Sequence, residues 1–327
     1  MSETNIDING QKAEPNGSAA NLVRGNKDNY EINGRWGRAS KFGGVLTAKD
    51  SCGRCVTIKL LERHAASLPQ VLDRLASVSH PGVASVREWF NAPDGRLCIV
   101  RDMVQGTDLK TIFANKKVYG KIAEDQYIAM GCAVLEALTA VHKAGIVHRD
   151  VKPSNIVIRH EPGADLTTVD LSNITLIDFE QGCTIPTDDT ARTQFALIYS
   201  PPEMLLKYNH LVGPHADLFA LAITIYHLVI GKTPYTDCNP EVLINLQLTY
   251  PMKKPSRMTD ELFAVLSKAA AKAPFRLPPR RLPQAEIEET LRAGVALRYA
   301  DAQQMLADLK VVPHALKPAN WWQRTFG

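Results

Sequence analysis

The chain changes character at Gly106. From Tyr30 to Val104 the apolar residues fall in short runs of β type, at Val45–Ala48, Cys55–Leu60, Val83–Phe90 and Leu97–Val104. Turn-forming clusters divide them at Asp50–Gly53 and Asn91–Gly95, and the Pro-Asp-Gly core of the second suits a hairpin. One helical stretch, about Leu68 to Val78, interrupts the series. Beyond Gly106, Ile128, Val134, Leu135, Leu138 and Val141 recur at the three-and-four spacing of a long helix. Only Asn155–Ile158 and Ile174–Ile177 still read as strands before helices run on to about Lys310. A sheet-rich front and a helix-rich back predict an α+β chain of two lobes, with a ligand cleft at their junction.

Composition narrows the function. The 327 residues are 45% hydrophobic and 22% charged, ordinary for a globular chain. The 38 Lys+Arg against 34 Asp+Glu leave a formal charge of +4, too weak to signal a nucleic-acid partner. The run Leu218 to Ile230 is 13 residues, short of the roughly 20 that a bilayer requires, so it predicts a buried helix and no membrane span. Met1–Gly10 is polar, without the basic end and apolar stretch of a secretory leader. Six cysteines then read as reduced thiols, and the expected location is cytoplasmic. Residues 1–29, rich in Asn, Gly, Ser and Asp, read as a disordered polar tail.

The chemistry-bearing signal is His148-Arg149-Asp150-Val151-Lys152-Pro153-Ser154-Asn155, followed 23 residues after Asn155 by Asp178-Phe179. These segments resemble the catalytic loop and metal-binding segment of the eukaryotic-type serine/threonine protein kinase family, in a divergent form. The resemblance implies a two-lobed fold with Mg2+ and ATP in the cleft. Asp150 would accept the proton of the substrate hydroxyl, Lys152 would contact the γ-phosphate, and Asn155 and Asp178 would hold Mg2+.

Further matches stand in register. Val56-Thr57-Ile58-Lys59 resembles the strand whose lysine pairs with the α and β phosphates. Val100 to Val104 falls where the adenine hinge belongs, with main-chain groups of Asp102 and Val104 facing the base. Gly43 and Val45 remain from the phosphate-covering loop. Ser200-Pro201-Pro202-Glu203 resembles the end of the activation segment, and Arg298 the arginine that pairs with its glutamate. A stack of Leu75, Val86, His148 and Phe179, seated on Asp217, would clamp the lobes together. The implied organisation is a polar tail at 1–29, a small lobe at 30–104, a large lobe at 105–312 with an insertion near 274–297, and an aromatic tail at 313–327.

The match breaks in five places. Arg38 and Ser40 stand where the phosphate loop has glycines. Val71 occupies the helix position of the glutamate partner of Lys59, with Asp73 or Glu62 as substitutes if the helix shifts. Arg101 lies at the back of the adenine pocket, where a guanidinium needs solvent, a carboxylate or the nucleotide. Glu180 replaces the glycine after Asp178-Phe179 and would recruit a cation or repel a phosphate. Ala196 lacks the hydroxyl expected to bond Asp150.

In the activation segment Thr193 is the favoured phosphorylation site, with Arg149 placed to bind its phosphate. Cys52 and Cys55 suit a turn with free thiols better than a zinc site, which needs two more ligands. The Pro- and Arg-rich start of the insertion reads as a surface loop or a docking segment, and Trp321-Trp322 as packed on the body or on a partner. The expected function is phosphorylation of Ser or Thr hydroxyls on proteins at the expense of ATP, its own activation segment included. The alternative is a catalytically weak or inactive scaffold of the same shape. The expected partner is a protein substrate or regulator, and the oligomeric state is left open.

Overall fold

Alternation along the front strands decides which side chains reach the cleft. A computed structural model describes residues 22–40, 43–119, 122–185 and 196–313. The front sheet comprises β1 (Leu22–Arg24), β2 (Asn29–Ser40), β3 (Gly43–Lys49), β4 (Cys55–Leu61), β5 (Val86–Asn91) and β6 (Leu97–Asp102). All its pairings are antiparallel, in the order β1-β2-β3-β4-β6-β5. On β4, Val56, Ile58 and Leu60 point outward into a cluster with Tyr30, Leu46 and Phe90. Thr57, Lys59 and Leu61 take the opposite face, as the period of two requires. On β6, Cys98 and Val100 join the outer cluster while Leu97 and Ile99 join the main core. Thr57 pairs with Arg101, and Lys59 lies between Val45 and Ile99, so these residues share the cleft face.

Helix α1 (Leu68–Ala76) crosses behind this sheet and buries Leu68, Val71, Leu72 and Leu75. The larger lobe begins with β7 (Gly106–Asp108), α2 (Leu109–Ala114) and α3 (Lys116–Tyr119). Gly106 has φ +153°, and a Cβ there would lie 2.1 Å from the Ile158 carbonyl oxygen, so the crossing from sheet to helices needs glycine. Helix α4 (Glu124–Lys143) follows, then β8 (Ile146–Val147), β9 (Ile156–Arg159), β10 (Ile174–Leu176) and β11 (Cys183–Thr184). Strands β10, β9 and β7 form one small sheet and β11 with β8 another. Helices α5 (Pro202–Leu205), α6 (Pro214–Ile230), α7 (Pro240–Thr249) and α8 (Asp260–Ala269) precede α9 (Gln284–Ala296) and α10 (Ala302–Lys310). The apolar run becomes α6, buried on most sides and ended by Gly231 at φ 82°. Among the described residues no helix is long and apolar enough to cross a membrane.

Two expectations need revision. The polar tail was expected to run to residue 29, yet Leu22–Arg24 pair with the start of β2 in the sheet through a turn at residues 25–28. Val23 is 3% exposed, and the buried Glu88 accepts hydrogen bonds from the Asn26 and Lys27 N–H groups and from the Tyr30 hydroxyl. A three-residue strand tied down by one distant carboxylate leaves no periodicity to read. The expected Val83–Phe90 strand starts only at Val86, with Val83 making a lone parallel bridge to Leu176.

Residues 274–297, expected as an insertion, pack onto the large lobe. Ile287 and Leu291 of α9 pack on Leu211 beside Phe275 and Leu282. Arg276 pairs with Glu286 through two hydrogen bonds of 3.0 Å, and Glu288 meets His210 at 3.0 Å.

Candidate active site

The loop after β8 is shaped by a carboxylate beneath it. Asp217, fully buried in the first turn of α6, accepts the His148 N–H at 2.8 Å and the Arg149 N–H at 2.7 Å. It also meets His142 Nε2 at 2.9 Å. Burial alone would raise its pKa, but the histidines and loop N–H groups outweigh this and hold it below the ordinary aspartate value. Arg149 sits in the left-handed backbone region, φ 66°, a strained choice for a non-glycine residue that these bonds secure. The turn delivers Asp150, whose side chain is 11% exposed. Lys152 Nζ donates to both of its carboxylate oxygens, at 2.9 and 2.7 Å. Asn155 Nδ2 donates to its main-chain oxygen and to Oδ2, each at 2.8 Å.

The Asp178 segment is likewise fixed from below. Phe179 is 4% exposed and its ring centroid lies 4.3 Å from that of His148. Asp178, at φ 65°, therefore projects toward β4 and β6. Lys59 Nζ is 3.2 Å from Asp178 Oδ2 and 3.0 Å from Glu180 Oε2. Arg101 Nη1 is 3.2 Å from Asp178 Oδ1, and its Nε donates to Thr57 Oγ1 at 3.1 Å. Burial disfavours the Lys59 ammonium, but Glu180 and Asp178 override it and raise its pKa. Asp178 is held below the usual carboxylate value by Lys59 and Arg101 against its burial. Glu180 is pushed up by burial and by the neighbouring Asp178 carboxylate.

The family model described as "Protein kinase domain" matches residues 30–276, more than half the chain. The chain is a member of the eukaryotic-type serine/threonine protein kinase family. It is 32% identical over 252 residues to the serine/threonine-protein kinase PkaB of Streptomyces coelicolor, covering 72% of this chain and 56% of the relative. It is 33% identical over 207 residues to PknF of Mycobacterium tuberculosis, covering 62% of this chain and 42% of the relative. To PknA of the same organism it is 28% identical over 272 residues, covering 79% and 55%. The chain thus spans about half the length of the curated relatives it matches.

Within this two-lobed kinase fold a cavity of about 500 Å³ opens between the lobes. Val45, Met103, Val104, Val157 and Ile177 give it apolar walls, while Thr57, Arg101, Ser154 and Asp178 give it a polar end. Lys59 pairs with Asp178 at that end, whereas Asp150, Lys152 and Asn155 form a second cluster held by their own hydrogen bonds. Gly43 lies opposite Ser40 on the β2–β3 hairpin, above the stretch where Val45 reaches the cavity. The Asp102 side chain turns away from the cavity, accepting hydrogen bonds from Ser85 Oγ and Arg87 Nε at 2.6 Å. Met103 and Val104 line the cavity at this point and Asp102 does not.

The departures from the family pattern resolve together. Neither Asp73 nor Glu62 replaces the missing helix glutamate. Asp73 accepts the Trp89 indole N–H at 2.8 Å, and Glu62 is exposed. The expectation that Glu180 recruits a cation is met within the chain, by Lys59. Arg101 finds a carboxylate in Asp178. Glu203 and Arg298 join at 2.7 and 3.1 Å, both buried. Ala196 opens the turn 197–199, and its carbonyl accepts from Tyr199 N–H and Ser200 Oγ. Cys52 and Cys55 are exposed free thiols beside the β3–β4 turn. Thr187, Thr190, Thr193 and the aromatic tail with Trp321-Trp322 lie outside the described residues.

Sequence reading overlooked Thr107, Asp108 and Thr111, which line the cavity floor. Asp108 caps α2, accepting the Thr111 N–H at 2.9 Å and its hydroxyl at 2.7 Å. The signal was present: an Asp-x-x-Thr pattern directly after the glycine that ends the sheet lobe.

Proposed function

We propose that this chain transfers the γ-phosphate of ATP to serine or threonine hydroxyls of protein substrates, and that it works in the cytoplasm, where its free cysteines suit a reducing medium. The observation that carries the reading is the Asp150 carboxylate, fixed by Lys152 and Asn155 on a loop that Asp217 anchors. A carboxylate held in this way is an oriented acceptor for the proton of an attacking hydroxyl. Lys152, sharing that carboxylate, lies close enough to neutralise a phosphoryl group approaching it. Lys59 supplies the cation for the non-transferred phosphates.

The cavity suits a nucleotide. About 500 Å³ is within the range of small-molecule sites. Its apolar walls fit the faces of a purine, and main-chain groups of Asp102 and Val104 would meet the base edge. The Asp108 carboxylate and the Thr107 and Thr111 hydroxyls are acceptors and donors for ribose hydroxyls. Asp178 and Asn155 offer hard oxygen ligands of the kind Mg2+ prefers and would hold it. When bound, the ion would neutralise charge on the phosphate oxygens.

The test is label transfer from radioactive ATP to a protein substrate or to the chain itself, comparing wild type with Asp150→Ala and Asp178→Ala. Transfer by wild type alone is expected. Equal background in all three would overturn the proposal in favour of a scaffold.

A further inference from the structure

Lys59 is held in an unusual way. The helix that should pair with it offers no carboxylate: α1 turns Leu68, Val71, Leu72 and Leu75 inward, all buried. The one acid of α1, Asp73, is engaged with Trp89, and Arg74 Nη1 donates to the Gly145 carbonyl at 2.9 Å. The 14%-exposed Glu180 side chain instead reaches Lys59 from the segment that carries Asp178. Phe179, between the two acids, is fixed by His148 and closes a small pocket of about 20 Å³ with Leu72, Leu75, Val86 and Ile99. One docked aromatic ring therefore sets both carboxylates that hold the lysine.

We infer that Glu180 is the positioning residue of Lys59, doing from the Asp178 segment what the family does from the α1 helix, so that lysine placement follows the seating of Phe179. The inference rests on the phosphotransfer reading, since the cation being placed is the one assigned to the phosphates. It carries a regulatory consequence. A signal that swings α1 has no ion pair there to break, because the helix is held by apolar packing. A signal that unseats Phe179 removes Asp178 and Glu180 from Lys59 at once.

Glu180→Gln keeps the shape of the side chain and removes its charge. Label transfer is expected to fall about 10- to 100-fold, the worth of a hydrogen bond between charged groups, with a melting temperature close to wild type. The second readout is acetylation of Lys59 by an amine-reactive ester near neutral pH, followed by peptide mass mapping. Without the glutamate one of the two ion pairs that hold Nζ is gone, so the amine is freer to meet the reagent and labelling should quicken several-fold. Glu180→Asp should lie between. Moving the acid back, in Val71→Glu/Glu180→Gly, should recover transfer relative to Glu180→Gly alone.

Wild-type transfer and wild-type labelling in Glu180→Gln would overturn the inference. So would a double variant that melts like wild type yet stays as slow as Glu180→Gly. If wild type transfers no more label than Asp150→Ala, the phosphotransfer reading fails. The labelling comparison then still decides Glu180: faster acetylation sustains its hold on Lys59, and an unchanged rate refutes it.

Discussion

Replacing Arg101 with methionine tests how the polar end of the cleft is balanced. Arg101 Nη1 lies 3.2 Å from Asp178 Oδ1, with side chains 15% and 28% exposed. Its Nε–H is spent on Thr57 Oγ1. A hydrogen bond between charged groups contributes about 1.5–3 kcal/mol net, and partial exposure reduces this to about 1–2 kcal/mol. A divalent cation arriving at Asp178 has to displace that contact, so the same free energy opposes its binding. Arg101→Met keeps the length and apolar stem, and leaves Thr57 a hydroxyl that water can satisfy. The half-saturating Mg2+ concentration at fixed nucleotide should therefore fall about 5- to 30-fold. Arg101→Lys, which keeps the charge without the planar fork, should lie between. The assay is a Mg2+ titration of the melting temperature with a non-hydrolysable ATP analogue, with calorimetric nucleotide affinity at saturating Mg2+. An unchanged Mg2+ midpoint would refute the competition. Loss of nucleotide binding would show that the guanidinium itself holds the nucleotide.

Two further outcomes concern the frame around the cleft. Arg298→Met strands the fully buried Glu203 carboxylate and should cost about 3–5 kcal/mol in urea unfolding. Adding Glu203→Gln should return part of that loss, and a double variant no more stable than the single would show that the pair is not the cause. Asp50 accepts the Arg54 N–H and bonds the Arg87 and Arg54 guanidiniums. Desolvation raises its pKa, but these partners outweigh it and hold the carboxyl well below the usual aspartate value. Its stabilisation is then complete above the unfolded aspartate pKa of about 4 and is lost as pH falls below it. The stability gap between wild type and Asp50→Asn should accordingly be full at neutral pH and close on acidification. A gap independent of pH would contradict this.

The fold was legible where the local pattern is strong. The short apolar runs between turn-forming residues gave the strands β4 and β6, on which Lys59 and Arg101 lie. The cluster around Asp150 was legible because His148 to Asn155 is one continuous stretch whose members meet through local bonds. What escaped depends on distant partners. The edge strand β1 owes its order to Glu88, about 60 residues away, and nothing within residues 22–29 announces that carboxylate. Helix α9 has its own pattern, but its burial against Leu211 depends on a surface made elsewhere. The partner of Lys59 was sought at Asp73 on α1 and at Glu62, just past the end of β4. It sits instead 121 positions further on, beside a residue already assigned to a metal.

The departures at Val71, Arg101 and Glu180 are one rearrangement, because their charges balance. With a glutamate on α1, a lysine between two carboxylates leaves one net negative charge to attract a divalent ion. Here the glutamate sits beside Asp178, where two carboxylates flanking one lysine would repel each other in a partly desolvated pocket. Arg101 supplies the missing positive charge, so Lys59 and Arg101 stand against Asp178 and Glu180. Either residue introduced alone would leave a poorly solvated charge costing several kcal/mol. Their effects on stability should therefore depend on each other, as expected for members of one network. Valine at position 71 follows from the same logic, since with the acid relocated the buried face of α1 gains more from an apolar contact than from a second carboxylate.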